Sequence, residues 1–442
     1  MNATNTAGSY LTDLSFIGSG VTSDNDGAVS LTGASFAING DFVAKGKVAL
    51  SGGESTSSAT NIPNVSIDTN QSITDSGDIT FSGYSLSGSS SRAYVLNTST
   101  TTGTGGNINL YPASTTGTFS AGSMTVNASG STSSGTITLP AVTTTRNTGS
   151  YNTTSAQSYT GSTITLNGNL QSNQANIDVL GSEVVLATVV SIATYTGFVS
   201  GQTKDTSGVT AGSVVIGSTD AKLTNSDSSY SFAIDTSGNK GAATFVSNNG
   251  SITLNDSTKT VFNNLSLIGG SSINSALDTA KYSATGQVTI GQMDGGTVTL
   301  NALEAGSLLL KGSSHLTTNY FVTGNIGTGV GESFVAGTLA ATNVGSLDVT
   351  TDNALNVGSL SSINGVSATG KVKITTKAGD LTVNNNITTA SVDNDAITLN
   401  AGLETAVGTA TGGNVLLKSS TLSTGGGGRA TVYTGSSEES GS

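Results

Sequence analysis

The 442-residue chain has no cysteine, no tryptophan and only three prolines, Pro63, Pro112 and Pro140. Without thiols it can build neither a disulfide framework nor a thiolate metal site, and the same lack suits a protein exported while unfolded. Aromatic residues make up 5% of the chain and charged residues 10%, too few large side chains to fill an ordinary globular core. The net charge is −12 with no basic cluster, so nucleic acid and anionic membrane surfaces are poor partners. The most apolar run, Val184 to Ala193, is too short and too interrupted by hydroxyls to cross a bilayer, and it reads as buried strands. The opening residues, Met1 to Gly8, have no charged region followed by an apolar run, so no signal peptide is expected there.

What the chain does have is glycine, 59 residues of it, and a pattern that starts with glycine: any residue, aliphatic, any residue, aliphatic. Three copies lie about ten residues apart between Gly286 and Leu310. Others begin at Gly27, Gly46, Gly77, Gly106, Gly122, Gly135, Gly212, Gly250, Gly345, Gly370, Gly379 and Gly413, with partial copies at Thr163 and Asp395. A period of two marks a strand with one buried face, and the glycine is expected to supply a tight corner. A strand burying two aliphatic side chains gains roughly 1.5 to 3 kcal/mol from each, too little to order itself alone, so it needs identical neighbours. Outward positions such as Lys47, Asp78, Asn107, Ser123, Thr136 and Gln287 share no chemistry and read as unconstrained. Asparagine follows the last aliphatic at Asn127, Asn167, Asn255, Asn301, Asn384 and Asn400, where left-handed corners and stacked amides are expected.

This spacing predicts an all-β fold, a right-handed parallel β-helix or β-solenoid forming an elongated rod. Residues 1–434 are expected to make one continuous body of about 18 to 22 coils, each roughly 20 to 25 residues long, with 435–442 as a flexible tail or linker. The pattern lapses at Thr143 to Thr160, Tyr195 to Ala211, Thr219 to Val246, Asp256 to Ala284 and His315 to Gly337. These stretches read as loop insertions, and their tyrosines, Tyr151, Tyr159, Tyr195, Tyr230, Tyr282 and Tyr320, either stack on carbohydrate or fill an enlarged coil.

No residue is assigned to catalysis, to a metal or to a cofactor, and the ligand-binding residues stay unassigned. His315 is the only histidine, without a motif for a Ser-His-Asp arrangement. Asp24-Asn25-Asp26-Gly27 starts like a calcium loop but lacks a glutamate at the twelfth position, and it reads as a turn. Gly425 to Gly428 has no following helix and lysine for a phosphate. A polysaccharide lyase or hydrolase would need clustered carboxylates near arginine or lysine, whereas acidic residues here stand singly and Arg92, Arg146 and Arg429 are the only arginines. Outward Thr-x-Thr pairs at Thr136/Thr138, Thr163/Thr165 and Thr297/Thr299 raise ice binding, which would require such pairs on consecutive coils.

The Gly-x-Ile-Thr-Leu-Asn and Gly-Asp-Leu-Thr-Val-Asn strands, with Gly412 to Ser420 and Gly428 to Gly435, resemble the filamentous-haemagglutinin type of bacterial exoprotein. That resemblance implies two-partner secretion through an outer-membrane β-barrel transporter and a place outside the cell or on its surface. It implies a shaft fragment of a bacterial adhesin or biofilm fibre, lacking its signal peptide and attaching to glycans, cells or matrix, with lateral self-association open. It carries over no functional residue. The expected function is therefore structural and not enzymatic. A polysaccharide-active β-helix enzyme or tailspike, and an autotransporter passenger, are the alternatives.

Overall fold

The computed structural model describes residues 2–5, 9–16, 28–44, 46–54, 64–69, 75–82, 92–111, 118–145, 154–173, 175–194, 212–218, 221–236, 252–254, 260–262, 265–269, 282–292, 296–312, 317–328, 334–405 and 413–435. Every regular element among them is a strand and none is a helix. Parallel pairing dominates; antiparallel pairs occur where Gly327 and Thr328 meet Ala336 and Val335, and in the hairpin of Ser359–Leu360 with Ile363–Asn364. Parallel neighbours cannot be joined by a tight turn, so the chain travels a full circuit before it lies beside itself. The contacts divide the chain into two compact units, Met1–Tyr230 with Thr253–Thr258, and Ser231–Ile252 with Lys259–Ser442.

In the first unit, parallel strands stack in three columns, and the long strands Gln157–Leu166 and Ile177–Leu186 each run through two of them. One column joins Val48–Glu54, Ile79–Ser82, Ile108–Tyr111, Ile137–Leu139, Gln157–Leu166 and Ile177–Leu186. Its register sets Val48, Ile79, Ile108, Ile137, Ile164 and Val184 one above another, each no more than 1% exposed. A second column stacks Ile67, Leu96, Val126, Tyr159, Val179 and Ile216. The third stacks Phe119, Val142, Leu170 and Ile192. Phe81 and Phe119 meet edge to face across the interior at 6.4 Å. In the apolar run Val184 to Ala193, Val184, Leu186, Val190 and Ile192 are buried in the strands Ile177–Leu186 and Val190–Ala193, while Val189 in the connection between them is 54% exposed.

The circuits are less uniform than the expected 20 to 25 residues: some fall within that range, such as Leu347 to Val372 and Val372 to Ile397, and others exceed it. Facing positions lie 29 residues apart at Asp78 and Asn107 and at Asn107 and Thr136, 22 apart at Asn169 and Ser191, and 37 apart at Asn176 and Ser213. Side chains facing inward fix the strands, while the connections between them vary in length without disturbing the register.

The glycine before a strand serves two purposes. Gly296, Gly379 and Gly413 are left-handed, as the expected corner requires, whereas a second group acts otherwise. Gly77, Gly106 and Gly135 are not in the left-handed region. They stack on one another, and a Cβ at Gly106 would lie 2.4 Å from the carbonyl oxygen of Gly77, while one at Gly135 would lie 2.2 Å from that of Gly106. The column of glycines lets successive circuits approach backbone to backbone. The asparagine corners differ as well. Asn127, Asn167, Asn301, Asn384 and Asn400 are not left-handed, whereas Ala302 and Asn343 are; Asn255 lies outside the described residues. Asn127 does hydrogen-bond its own backbone, its Oδ1 accepting from Ser129 N–H at 3.1 Å, and Asn97 Nδ2 donates to Asp68 Oδ1 one circuit away at 3.2 Å. At Asn127 it is the side-chain bonding of asparagine, not its tolerance of positive φ, that suits the corner.

The second unit repeats the three-column plan. Its longest register runs Val298, Tyr320, Leu347, Val372, Ile397, Ala430, with Leu300, Val322, Val349, Ile374, Leu399 and Val432 beside it. A second column stacks Leu339, Val357, Val383 and Leu417, and a third stacks Val366, Ile387 and Leu422. The three copies of the pattern between Gly286 and Leu310 are not three separate short strands. They occupy two long ones, Tyr282–Gln292 and Gly296–Lys311. Val288 and Ile290 face Leu308 and Leu310, while Val298 and Leu300 belong to the other column, and the left-handed Ala302 turns the chain between them. Phe232 and Phe262 stack with ring centroids 5.8 Å apart.

Candidate functional site

The surface available for function is the outward half of these strands, and its residues are tied together. At the head of one column in the first unit, Lys47 Nζ lies 3.8 Å from Asp78. Asp78 Oδ1 accepts from Asn107 N–H at 2.8 Å, and Asn107 Oδ1 accepts from both the N–H and the hydroxyl of Thr136 at 2.9 Å. The same device, a side-chain oxygen accepting from the backbone one circuit later, recurs at Asn64, Asn169, Asn176, Asn319, Asp380 and Asn386. Each completes an N–H at the start of a strand. Positions read as unconstrained from the sequence, Lys47, Asp78, Asn107 and Thr136, are therefore coupled along the stack. No periodic signal shows this, because Lys, Asp, Asn and Thr share hydrogen-bonding capacity but not hydropathy.

Charge pairs bridge circuits in the same way: Lys222 with Glu183 at 3.3 Å, Lys373 with Asp348 at 3.3 Å and Lys377 with Asp352 at 2.7 Å. Lys371 reaches Asp395 at 2.7 Å and Asp393 at 3.9 Å. The hydrogen bond with Asp395 raises the Lys371 ammonium above the usual lysine range and holds the Asp395 carboxyl below the usual carboxylate range. Burial pushes the Asp178 carboxyl up, and bonds from the Ser229 backbone and hydroxyl hold Asp227 down. All are exposed or part-exposed groups, so water and salt screen the pairs and leave each of them little net stabilisation.

The tyrosines assigned to loop insertions divide. Tyr159 and Tyr320 are fully buried, inside Gln157–Leu166 and Thr318–Thr328, and fill the interior. Tyr159 O–H donates to Gln157 Oε1 at 2.9 Å, and Gln157 Nε2 donates to Gln171 O at 2.7 Å and to Thr144 Oγ1 at 3.1 Å. Tyr320 O–H donates to Lys311 O at 2.5 Å and accepts from Gln292 N–H at 3.1 Å. Desolvation raises both phenols far above the usual tyrosine range. Neither reaches a carbohydrate. Tyr230 is half-buried, the side chain of Tyr282 is outside the described residues, and so are Tyr151 and Tyr195. The lapsed stretches are not all loops, since the strands Lys222–Asn225, Phe232–Asp235, Thr260–Phe262 and Leu265–Gly269 fall within them. Among the described residues the exposed rings are Tyr111, Phe321 and Tyr433, which the pattern did not single out.

His315, Arg146 and Asp24 to Gly27 lie outside the described residues, and Arg92 is buried. Gly425 to Gly428 forms a turn closed by Gly428 N–H to Gly425 O at 2.9 Å. Among the described residues no three His, Asp or Glu side chains group as a metal site would require. Of the outward Thr-x-Thr pairs, Thr138 faces Thr165 on the next circuit. The array is two circuits deep, bounded by Asn109 and Val185, and Thr138 Oγ1 is bonded to Asn109 at 3.1 Å. An ordered water lattice would need a wider set of free hydroxyls.

No known family, curated protein or solved structure matches the chain. The outward surface thus has to be interpreted from its own chemistry: hydroxyl- and amide-rich, bridged by weak ion pairs and dotted with single exposed rings.

Proposed function

We propose that the chain is built as a right-handed parallel β-helix and serves as a non-catalytic structural segment of a large secreted bacterial adhesin or biofilm fibre. The observation that carries this is the parallel pairing of strands one circuit apart, with aliphatic side chains inward at every level and polar side chains of unrelated type outward. Parallel strands joined by a crossover are right-handed in about 98% of cases, which supports the hand. A scaffold of this kind fixes its interior and leaves the exterior to vary, the division of labour that an attachment surface uses. Hydroxyls, amides and exposed rings suit glycans on a host or neighbouring cell, or in matrix, as partners. The absence of cysteine suits passage through an outer-membrane β-barrel transporter before folding.

The test is to incubate the purified chain with a glycan array and with cell and matrix surfaces, following both retention and the release of soluble sugars. The proposal expects saturable retention with no bond cleaved. Release of oligosaccharides, or no retention on any surface, would overturn it in favour of an enzyme or of a scaffold without attachment.

A further inference from the structure

The hairpin of Ser359–Leu360 with Ile363–Asn364 stands outside the stack and runs back over it. The register Val288, Leu308, Leu339, Val357 marks four successive circuits of the second unit, and the hairpin leaves the last of them at Gly358. Gly365 N–H donates to Gly358 O at 2.8 Å and closes its base, while its two strands pack against Val335–Val344 one circuit back. At its tip, Gln287 Nε2 donates to Ser361 Oγ at 3.4 Å, although Gln287 belongs to the first of the four circuits. The outward residues on this path are covered. Thr289 faces Leu309, and Leu309 faces Ala340; they are 7%, 1% and 0% exposed, whereas Ser307, Lys311, Thr338 and Thr342 on the same face are part-exposed. Leu309 and Ala340 alternate with the inward Leu308, Leu310, Leu339 and Ala341, so what buries them lies outside the stack.

Little holds this cover down. Its two aliphatic side chains, Leu360 and Ile363, are each only half-buried. Ser359 Oγ donates to Asn385 Oδ1 at 3.2 Å near the base, and the bond from Gln287 secures the tip. Leu360 pairs with Ile363, which leaves Ser361 and Ser362 as a two-residue loop, with φ of 48° and 71°. A hairpin loop with both central residues left-handed favours Asn-Gly, because a Cβ disfavours that conformation. Two serines in those places work against the closed hairpin. We propose that residues 359–364 form a releasable strap, which lifts while the four circuits beneath it stay stacked and so uncovers the apolar strip of Leu309 and Ala340. Local opening of this kind belongs to segments with few buried contacts. The strap does not depend on attachment to glycans, so its failure would leave that function standing.

The chain has no cysteine, so one introduced thiol reads the strap directly. Ala340→Cys should react with a soluble thiol reagent at least tenfold more slowly than Thr299→Cys, which is on an exposed outer face. It should react at least tenfold faster than Ala341→Cys, which points inward and is reached only when circuits separate. Adding Ser361→Asn with Ser362→Gly should slow the reaction of the Ala340→Cys variant at least threefold, and adding Leu360→Ser should speed it. Equal rates for Ala340→Cys and Ala341→Cys would mean that the hairpin moves only with the circuits, and a rate equal to that of Thr299→Cys would mean that it covers nothing. Either result, or a rate unchanged by the Asn-Gly turn, would overturn the proposal. Amide exchange of the unaltered chain gives a readout that needs no variant. Protection at Gly365, whose N–H closes the hairpin, should be at least tenfold lower than at Val366, whose N–H donates to Asn386 O in the stack; equal protection would contradict a strap that lifts by itself.

Discussion

Single atoms decide how closely the circuits stack. A methyl group at Gly106 has no room above the Gly77 carbonyl, so Gly106→Ala should lower stability by about 1 to 3 kcal/mol through forced separation of two circuits. A shifted urea midpoint checks it. The buried threonines act beside these glycines. Thr69 Oγ1 donates to Gly77 O at 2.6 Å, Thr98 Oγ1 to Gly106 O at 2.5 Å and Thr194 Oγ1 to Gly212 O at 2.5 Å. Thr98→Val keeps the shape and removes the donor, and should cost roughly 1 to 3 kcal/mol in the same measurement. The buried phenols make stability depend on alkaline pH. Both are raised above the ordinary tyrosine value of 10.0, so their contribution is complete below that pH. Above it the unfolded chain releases two protons that the folded chain retains, and stability falls by about 1.4 kcal/mol per pH unit for each tyrosine. Denaturation midpoints measured across that range should fall less steeply in the double variant Tyr159→Phe, Tyr320→Phe.

Strands are where the sequence is most informative and also where its limits show. Leu300 is 1% exposed beneath Val322, and its neighbour Thr299 is exposed. Leu300→Lys buries an unpaired charge and should cost several kcal/mol, whereas Thr299→Lys should stay within about 0.5 kcal/mol of the parent. Equal losses in a denaturation experiment would contradict the assignment of faces. The faces of Ile79, Ile108 and Ile137 were legible because alternation is a local property read over five residues. What was not legible depends on the next circuit. Tyr159 looked like a loop residue because the polar Gln157 breaks the apolar rhythm, yet Thr144 and Gln171, from other strands, satisfy that amide inside the core. The glycine column, the Asp78–Asn107–Thr136 ladder and the length of each circuit likewise follow from pairs 22 to 37 residues apart. Such pairs leave no mark in a short window.

At the scale of the whole molecule, each unit accounts for its stability by repetition: a circuit that cannot hold its own strands is held by those on either side. The central claim is that the chain pairs with itself in parallel, one circuit at a time and in a fixed register. Because the chain has no cysteine, two introduced thiols would be the only ones present, and disulfide formation reads the register directly. Asp348 faces Lys373, and Lys373 faces Thr398, so Asp348 and Thr398 are two circuits apart, roughly 9.5 Å at about 4.8 Å per layer. A disulfide needs Cα atoms within about 7 Å. Asp348→Cys combined with Lys373→Cys should oxidise to an intramolecular disulfide under mild conditions, while Asp348→Cys combined with Thr398→Cys should not. Equal yields from the two pairs, or a bridge only in the second, would contradict the stacked parallel arrangement.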